Sequence, residues 1–203
     1  MTLIPSNLET LPTRERLLWS ALICFSRKGY YQTTTDEIVA ESGLGKGTLY
    51  RHFGNKKELF ISLVQWVFET IGQQMMAFEA EELSAAEQLR SIVIRLMADT
   101  EQLLPFYRIT LDYWAHTIED VQVRQMFSAA LHQFQLAIVP IIEAGVASGE
   151  FRPVEAKPAV LALIAMLDGL GLYKALLLDD FDLTGAVTAL TDIFIAGLRN
   201  SEL

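Results

Sequence analysis

The sequence is poor in the residues from which many small active sites are built. It has one cysteine, Cys24, among 203 residues, which excludes an internal disulfide and a zinc site made of several thiolates. It also lacks a glycine-rich phosphate loop and the Gly-x-Ser-x-Gly sequence of a nucleophile elbow. We therefore expect a protein that is not an enzyme and that uses no cofactor and no metal.

Basic residues are scarce as well. The chain has 16 lysines and arginines against 25 aspartates and glutamates, which gives a net charge of −9. Residues 1–60 hold eight basic and six acidic residues, whereas residues 61–203 hold eight basic and nineteen acidic ones. This division would let only the N-terminal part approach a phosphate backbone. Ordinary surface charge is the alternative explanation.

A leader segment and long uninterrupted hydrophobic runs are also missing. The first ten residues lack the basic start and the apolar run of a signal peptide. Three charged residues, Asp168, Lys174 and Asp192, interrupt the longest apolar stretches. We therefore expect a cytoplasmic protein without a membrane contact.

Hydrophobic residues, in contrast, make up 51% of the chain. They recur at helical spacing, and no stretch alternates apolar and polar residues as a half-buried strand would. We predict an all-α fold of about nine helices, with an N-terminal three-helix head over residues 1–55 and a larger helical body over residues 56–203. In the body, Pro105 is predicted to open a helix and Pro140 to kink a long one over residues 121–147.

Residues 33–60 contain two short predicted helices joined by a tight turn. Thr34 and Glu37 have the spacing of a capping box at the start of the first helix, and Gly43 suits the positive φ that ends it. Leu49 and Phe53, four residues apart, would face the core and leave the other sides of the second helix open. This pattern predicts a helix-turn-helix, whose second helix reads the major groove of DNA.

A further capping pattern follows the second short helix. Asn55 and Glu58 are predicted to start a helix that runs to about Met76 and joins the head to the body. We expect any movement of the body to reach the head through this helix.

One sequence pattern runs from the end of the first predicted helix into the fourth, and it consists of Gly29, Tyr30, Thr33 to Val39, Gly43, Leu44, Lys46 to Tyr50, Phe53, Lys56 and Glu58 to Phe60. This pattern resembles the tetracycline-repressor (TetR) family of bacterial transcription regulators. One position departs from the family, because Gly45 stands where a serine is common, so this helix cap lacks a hydroxyl. The resemblance implies a DNA-binding head on a body that binds an effector and forms a dimer.

The second short helix carries most of the side chains that we expect to touch DNA. Arg51 is suited to a bidentate bond with guanine, and Thr48 and Gly47 are small enough to approach base edges. The expected phosphate contacts are Thr34, Lys46, Tyr50, His52 and Lys56. Each has a simpler alternative: a helix cap for the threonine, a partly buried ring for the tyrosine, and a solvated side chain for the histidine and the lysines.

Two apolar stripes near the C-terminus suggest how a second copy would bind. They contain Leu163, Met166, Leu167, Leu170, Tyr173, Leu177, Leu190, Phe194 and Leu198. An internal core would give the same stripes, but the family resemblance favours a four-helix interface in a homodimer, whose two heads would read a palindrome.

The body is rich in large apolar side chains, and the family resemblance implies an effector pocket among them. The candidate lining residues are Trp66, Met75, Phe78, Phe106, Tyr107, Asp112, Trp114, His116, Phe127 and Phe134. Such a lining suits a small hydrophobic effector, although an ordinary core has the same composition. Asp112, His116 and Glu119 share a helical face, and the alternatives for them are solvated side chains and a divalent-metal or acid–base cluster.

Together these patterns predict a sequence-specific DNA-binding transcriptional regulator. We expect a dimeric repressor, bound to a double-stranded palindromic operator, that a small hydrophobic effector releases by changing the separation of the two heads. The alternatives are an activator with the same fold and a helical small-molecule-binding protein that keeps the helix-turn-helix as a scaffold.

Overall fold

The computed structural model describes residues 8–76, 83–98, 100–117, 120–176 and 180–200. Over these ranges the chain forms a 3-10 helix, Leu8–Thr10, and nine α-helices, without a strand. The all-α prediction is therefore confirmed. The α-helices are α1 (Thr13–Gln32), α2 (Thr35–Ser42), α3 (Lys46–His52), α4 (Lys56–Met76), α5 (Ala85–Ala98), α6 (Thr100–Thr117), α7 (Val121–Ala147), α8 (Ala156–Leu176) and α9 (Leu183–Leu198).

The starts of α5 and α9 follow local capping signals. Ser84 accepts a hydrogen bond from the amide of Glu87 at 3.3 Å, and the Glu87 carboxylate accepts one from the amide of Ser84 at 2.9 Å. At α9, the Asp182 carboxylate accepts from the amide of Gly185 at 2.9 Å. Side chains thus satisfy backbone donors that the first helical turn leaves open.

The prediction for Pro105 is wrong, because α6 begins at Thr100 and contains this proline in its interior. An interior proline removes one backbone hydrogen bond and costs about 3 kcal/mol. Phe106, Ile109 and Tyr113, all buried, follow it at helical spacing on one face. Burial of this face offsets the local cost, so tertiary packing overrides the local preference. The other interior proline, Pro140, lies within α7 as predicted.

The chain divides into two compact units. Compact unit 1 consists of Met1–Phe68 and Gln102–Ser128, and compact unit 2 of Glu69–Glu101 and Ala129–Leu203. Unit 1 thus contains α1 to α3, the first part of α4, most of α6 and the first part of α7. The predicted functional division between residues 55 and 56 stays a prediction.

The core of compact unit 1 is built from the inner faces of its helices. Leu17, Leu18, Ile38 and Leu49, from α1, α2 and α3, are each 0% exposed. The same unit contains an aromatic group that consists of Phe25, Tyr30, Phe60 and Tyr113. This packing holds the short helices α2 and α3, because seven or eight residues form too few backbone hydrogen bonds to be stable alone.

In compact unit 2, α9 packs on both α5 and α8. The core cluster contains Val93, Leu163, Leu183 and Val187. Glu150 joins this arrangement from the loop before α8, because its carboxylate accepts hydrogen bonds from the amides of Ala85 at 2.8 Å and Ala86 at 3.1 Å. The first turn of α5 is therefore capped from a distant part of the chain.

Compact unit 2 also contains the predicted dimer residues. Leu163 and Leu198 are buried within the single chain, at 1% and 4% exposure. Leu167, Leu170, Leu190 and Phe194 are partly buried and pack against the core cluster. Met166 and Tyr173 are exposed, and Leu177 lies outside the described residues. The predicted stripes thus contain both core residues and surface residues.

Candidate nucleic-acid interface

Helix α2 begins with the capping box that the sequence predicts. The Thr34 hydroxyl accepts from the amide of Glu37 at 3.2 Å, and the Glu37 carboxylate accepts from the amide of Thr34 at 2.9 Å. Thr34 is exposed, so the cap leaves the first turn of α2 open to solvent. The backbone amides and the helix dipole at the first turn of a helix favour an anion.

The turn between α2 and α3 depends on Gly43, which has φ of 62° and ends α2 in the left-handed conformation. A Cβ at this position would also lie 2.8 Å from the guanidinium of Arg16. Arg16 is held there because its Nε donates to the carbonyl of Ser42. The Ser42 hydroxyl in turn accepts from the amide of Leu44 at 3.2 Å. Glycine therefore meets the backbone requirement of a left-handed residue, and a Cβ would make the Arg16 side chain shift.

Helix α3 is anchored on one side and open on the other. Leu49 is 0% exposed and Phe53, its C-cap, is 3% exposed. The opposite side presents the predicted contacts to solvent: Lys46, Gly47, Tyr50, Arg51 and His52 are exposed, and Thr48 is half-buried. The predicted helix cap at Gly45 is confirmed, with φ of −80° and ψ of 149°.

Gly47 leaves room on the outer surface of α3. A Cβ added there would meet no described atom within 4 Å, so the packing of the chain does not require a glycine. Its small size instead lets the helix surface come close to another molecule. The predicted roles of Gly47, Thr48 and Arg51 in base contact stay predictions.

Two contacts that sequence reasoning missed tie the outer face of α3 to α2. The Lys46 ammonium forms an ion pair with Asp36 at 2.6 Å, which raises the pKa of the lysine. The Tyr50 hydroxyl lies 3.3 Å from the hydroxyl of Thr35. Asp36 and Thr35 occupy the first turn of α2. Their position in that turn is the sequence feature from which the two contacts could have been predicted. The two predicted phosphate contacts, Lys46 and Tyr50, are thus oriented by neighbours.

Lys56 has a different environment from the other predicted phosphate contacts. Its ammonium donates to the carbonyls of Tyr30 and Thr33, each at 2.9 Å, and approaches that of Tyr31 at 3.4 Å. The side chain is half-buried, and burial lowers its pKa. Helix α4 starts beside it, where the Asn55 side chain accepts from the amide of Glu58 at 2.9 Å, as predicted.

Ion pairs join α1 to α2 on the exposed surface. Arg27 pairs with Glu41 at 2.8 Å, and Lys28 pairs with Glu37. The hydrogen bond from Lys28 lowers the pKa of the Glu37 carboxyl to about 2, and the bond from the Thr34 amide adds to the effect. Glu37 therefore stays ionised and serves both the helix cap and the contact to α1.

Cys24 lies between the same two helices, in a groove of about 400 Å³. The side chain is 7% exposed, and burial raises the pKa of its thiol. A thiol in this state is a poor nucleophile. Cys24 therefore acts as a small packing residue, as its place on the apolar face of α1 predicts.

The predicted effector-pocket residues are divided between the two units. Trp66, Phe106, Tyr107 and Phe127 belong to compact unit 1, and Met75 and Phe134 belong to compact unit 2. Met75 and Phe106 are buried, and the other four are half-buried. Trp66 packs edge-on against Trp19 of α1, with 5.3 Å between ring centroids. Phe78, Glu119 and the side chains of Asp112, Trp114 and His116 lie outside the described residues.

Among the described residues, no three histidine, cysteine or acidic side chains form a group that could hold a metal ion. The alternative of a site at Asp112, His116 and Glu119 concerns side chains that lie outside this part of the structure.

Comparison with known proteins agrees with this arrangement over both halves of the chain. Residues 17–63 match the family described as "Bacterial regulatory proteins, tetR family", and residues 85–199 match "BetI-type transcriptional repressor, C-terminal". The HTH-type transcriptional regulator TtgR of Pseudomonas putida is 28% identical over 201 residues, which cover 95% of this chain and 94% of that protein.

Solved structures share the fold. The transcriptional regulator FadR of Bacillus subtilis superposes with a TM-score of 0.76 at 18% identity, covering 91% of this chain and 99% of its own. A TetR transcription regulator of Haloarcula marismortui superposes with a TM-score of 0.81 at 15% identity, covering 93% and 98%. Since the C-terminal family match alone spans more than half of the sequence, the protein belongs to the TetR family of bacterial transcriptional regulators, which bind DNA and are not enzymes.

Proposed function

We propose that the protein is a homodimeric repressor that binds a palindromic operator and leaves it when a small hydrophobic effector binds. The observation that carries the proposal is the outer face of α3, where polar side chains are exposed on a helix anchored by Leu49 and Phe53. A short, rigidly supported helix with such a face suits the major groove. Because its proposed partner is DNA, we expect the protein in the cytoplasm.

Within this function, Arg51 is the main base contact. It lies in the last turn of α3, is exposed, and has the planar donor fork that pairs with O6 and N7 of guanine. Thr48 and Gly47 would approach neighbouring base edges. Lys46, Tyr50, His52 and the first turn of α2 at Thr34 would contact phosphates, which position the helix without reading the sequence.

The exposed apolar residues of α8 and α9 support a dimer with a second copy of the chain. Leu161, Met166, Tyr173 and Leu176 on α8, and Ile193 on α9, are between 39% and 74% exposed. We infer that these side chains, together with the half-buried ones beside them, form the interface. The buried Leu163 and Leu198 would support that surface from inside.

A membrane is the alternative partner for such a surface. By length and composition alone, α7 and α8 are apolar enough to cross one. Two observations favour a protein partner. The first is that Asp168 on α8 and Asp192 on α9 are exposed, and placing these carboxylates in hydrocarbon would be costly. The second is that the chain belongs to a family of DNA-binding regulators, whose partner is water-soluble.

The effector class is supported by composition and by a structural neighbour. The candidate residues Trp66, Phe106 and Phe127 of compact unit 1 are apolar and buried or half-buried, and such side chains suit a hydrophobic ligand. The FadR structure from Bacillus subtilis was solved in complex with stearoyl-CoA. We propose that an apolar effector acts on this chain through α4, which starts directly after the helix-turn-helix motif.

The experiment that tests the proposal measures binding of the full chain to the DNA that flanks its own gene, by fluorescence anisotropy at several salt concentrations. We expect specific, salt-sensitive binding, which Arg51→Ala weakens with loss of preference over random DNA. Arg27→Ala is the matched control, because this exposed arginine on α1 pairs with Glu41. Equal effects of the two substitutions would refute the role of Arg51, and absence of salt-sensitive binding would refute the function.

A further inference from the structure

We infer that Arg14, in the first turn of α1, contacts a backbone phosphate of the operator. The inference rests on the proposed DNA binding and adds a contact from a helix outside the helix-turn-helix motif. The stretch that matches the TetR family at its N-terminal end covers residues 17–63, so Arg14 lies before it. The sequence patterns that predict the other DNA contacts do not include this residue either.

Most of the basic side chains between residues 8 and 76 already have a partner within the chain. Ion pairs or hydrogen bonds to carbonyls engage Arg16, Arg27, Lys28, Lys46, Lys56 and Lys57. Within the part of the chain that the structure describes, the remaining two, Arg14 and Arg51, form neither a hydrogen bond nor an ion pair, and both are exposed. An unpaired cation binds a phosphate without first losing a partner.

Two contacts place the first turn of α1 beside the helix-turn-helix motif. The guanidinium carbon of Arg14 lies over the ring of Phe53, 5.7 Å from its centroid, and Phe53 is the C-cap of α3. Two residues after Arg14, the Nε of Arg16 donates to the carbonyl of Ser42 at the end of α2. The start of α1 therefore lies next to the end of the helix that would enter the major groove.

The ring of Phe53 connects Arg14 with a predicted phosphate contact, His52. The ring centroids of His52 and Phe53 are 6.2 Å apart, so the guanidinium carbon of Arg14 is at most about 12 Å from the imidazole centroid. Phosphates follow one another about every 3.4 Å of helix axis along each strand of DNA. The two side chains can therefore contact phosphates of one short segment of backbone.

The same ring supports the guanidinium. Phe53 is 3% exposed, so its ring is held by the core and gives Arg14 a fixed surface. A guanidinium can lie on an aromatic face and still present the N–H groups at its edge to a phosphate. The alternative is that Arg14 only covers the ring. An exposed contact of that kind stabilises a fold weakly and would not change the salt dependence of DNA binding.

The deciding measurement is the slope of log affinity against log salt concentration, between about 50 and 200 mM salt, for the full chain on the DNA that flanks its own gene. Each lost phosphate contact lowers the magnitude of this slope by about 0.9. With one contact in each half-site of a dimer, Arg14→Gln should lower it by about 1.8 and weaken binding at about 100 mM salt at least tenfold.

Sequence preference and stability separate this role from the others. Phosphate contacts carry no sequence information, so Arg14→Gln should keep the wild-type ratio of affinities for the flanking DNA and for random DNA, whereas Arg51→Ala lowers that ratio. The melting temperature of Arg14→Gln should fall by no more than about 4 °C, because only a weak exposed contact with the ring is lost.

Two further variants complete the experiment. Arg27→Gln is the matched control, since it removes the same charge from α1 at an exposed arginine that pairs with Glu41 at 2.8 Å, and we expect it to keep the wild-type slope. Arg14→Lys keeps the charge but loses the planar group. It should restore most of the slope, because lysine also binds phosphate as a point charge.

Each outcome has one meaning. If Arg14→Gln keeps the wild-type slope, if Arg27→Gln lowers the slope equally, or if Arg14→Gln loses sequence preference as Arg51→Ala does, the inference is wrong while the proposed function stands. If Arg14→Lys binds no better than Arg14→Gln, the charge is not what acts, and the phosphate contact is refuted. If the wild type shows no salt-sensitive binding, the proposed function fails and the inference fails with it.

Discussion

The ring of Tyr113 on α6 packs edge-on against the ring of Tyr30 at the end of α1, with 4.5 Å between centroids and 77° between planes. The same ring lies 4.1 Å from that of Phe60 on α4. Tyr113 is 2% exposed, and its burial raises the pKa of its phenol. One side chain of α6 thus contacts both helices that flank the helix-turn-helix motif in sequence.

Tyr113→Ala should therefore destabilise the DNA-binding part of the protein. We expect the free energy of unfolding to fall by about 3–5 kcal/mol, because a large buried aromatic side chain is replaced by a cavity. Urea unfolding followed by circular dichroism measures the change. Tyr50→Ala is the control, since this ring is 45% exposed and its loss should cost about 1 kcal/mol or less. Equal losses in the two variants would exclude a stabilising role for the aromatic contact.

Asp36→Asn should tighten binding to DNA of random sequence. The substitution removes a negative charge beside the predicted phosphate contacts and releases Lys46 from its ion pair at 2.6 Å. An interaction of about 1 kcal/mol between exposed charges corresponds to a gain of about threefold to tenfold. The dissociation constant for a random duplex at low salt is the quantity to measure.

Glu41→Gln controls for the general loss of negative charge. Glu41 lies on the same helix as Asp36 but pairs with Arg27 of α1 at 2.8 Å. We expect it to change the affinity for random DNA less than Asp36→Asn does. If both variants gain affinity equally, the position of Asp36 beside α3 has no special effect.

The cap of α2 should make stability depend on pH in acid solution. Glu37 has a pKa of about 2 in the folded protein against an ordinary value of 4.5, chiefly because Lys28 donates a hydrogen bond to it. A lowered carboxyl pKa stabilises the fold above pH 4.5, and this contribution is lost as the pH falls from 4.5 towards 2. In Glu37→Gln, the free energy of unfolding should therefore change less across this window than in the wild type.

Lys28→Met tests the cause of this pKa shift. Without the ammonium, the pKa of Glu37 should rise towards 4.5, while the bond from the Thr34 amide keeps part of the shift. An NMR titration of the Glu37 carboxyl carbon follows the change directly. A pKa that stays at its wild-type value in Lys28→Met would show that the helix cap alone lowers it.

Ile193→Asp should convert the proposed dimer into a monomer. Ile193 on α9 is 74% exposed in the single chain, and a carboxylate in an apolar interface would lose its hydration without gaining a partner. Sedimentation velocity measures the mass in solution, and we expect weaker operator binding alongside the change in mass. Ile94→Asp is the control, because Ile94 is exposed as well, at 57%, but lies on α5.

Two results would contradict this assignment. A wild-type chain that sediments as a monomer would refute the dimer. A dimer that survives Ile193→Asp and dissociates in Ile94→Asp would move the interface from α9 to α5.

Much of the helix-turn-helix motif could be predicted from the sequence, because its boundaries depend on interactions between residues three or four apart. The Thr34–Glu37 cap, the left-handed Gly43 and the cap of α4 by Asn55 lie where these local patterns predict them. Capping and turn chemistry are decided within one helical turn of the chain. The exposure of Arg51 follows in the same way from the burial of Leu49 on the opposite side of α3.

Contacts between distant residues could not be predicted from such patterns. Lys56 reaches carbonyls 23 to 26 residues earlier in the chain, and α6 continues through Pro105 because a buried face on the far side of that proline offsets its local cost. By itself the sequence determined the all-α class, the helix-turn-helix and the family. Only the tertiary structure decided which lysine is bound internally and which apolar residues of α8 and α9 remain at the surface, because both depend on packing between elements far apart in the chain.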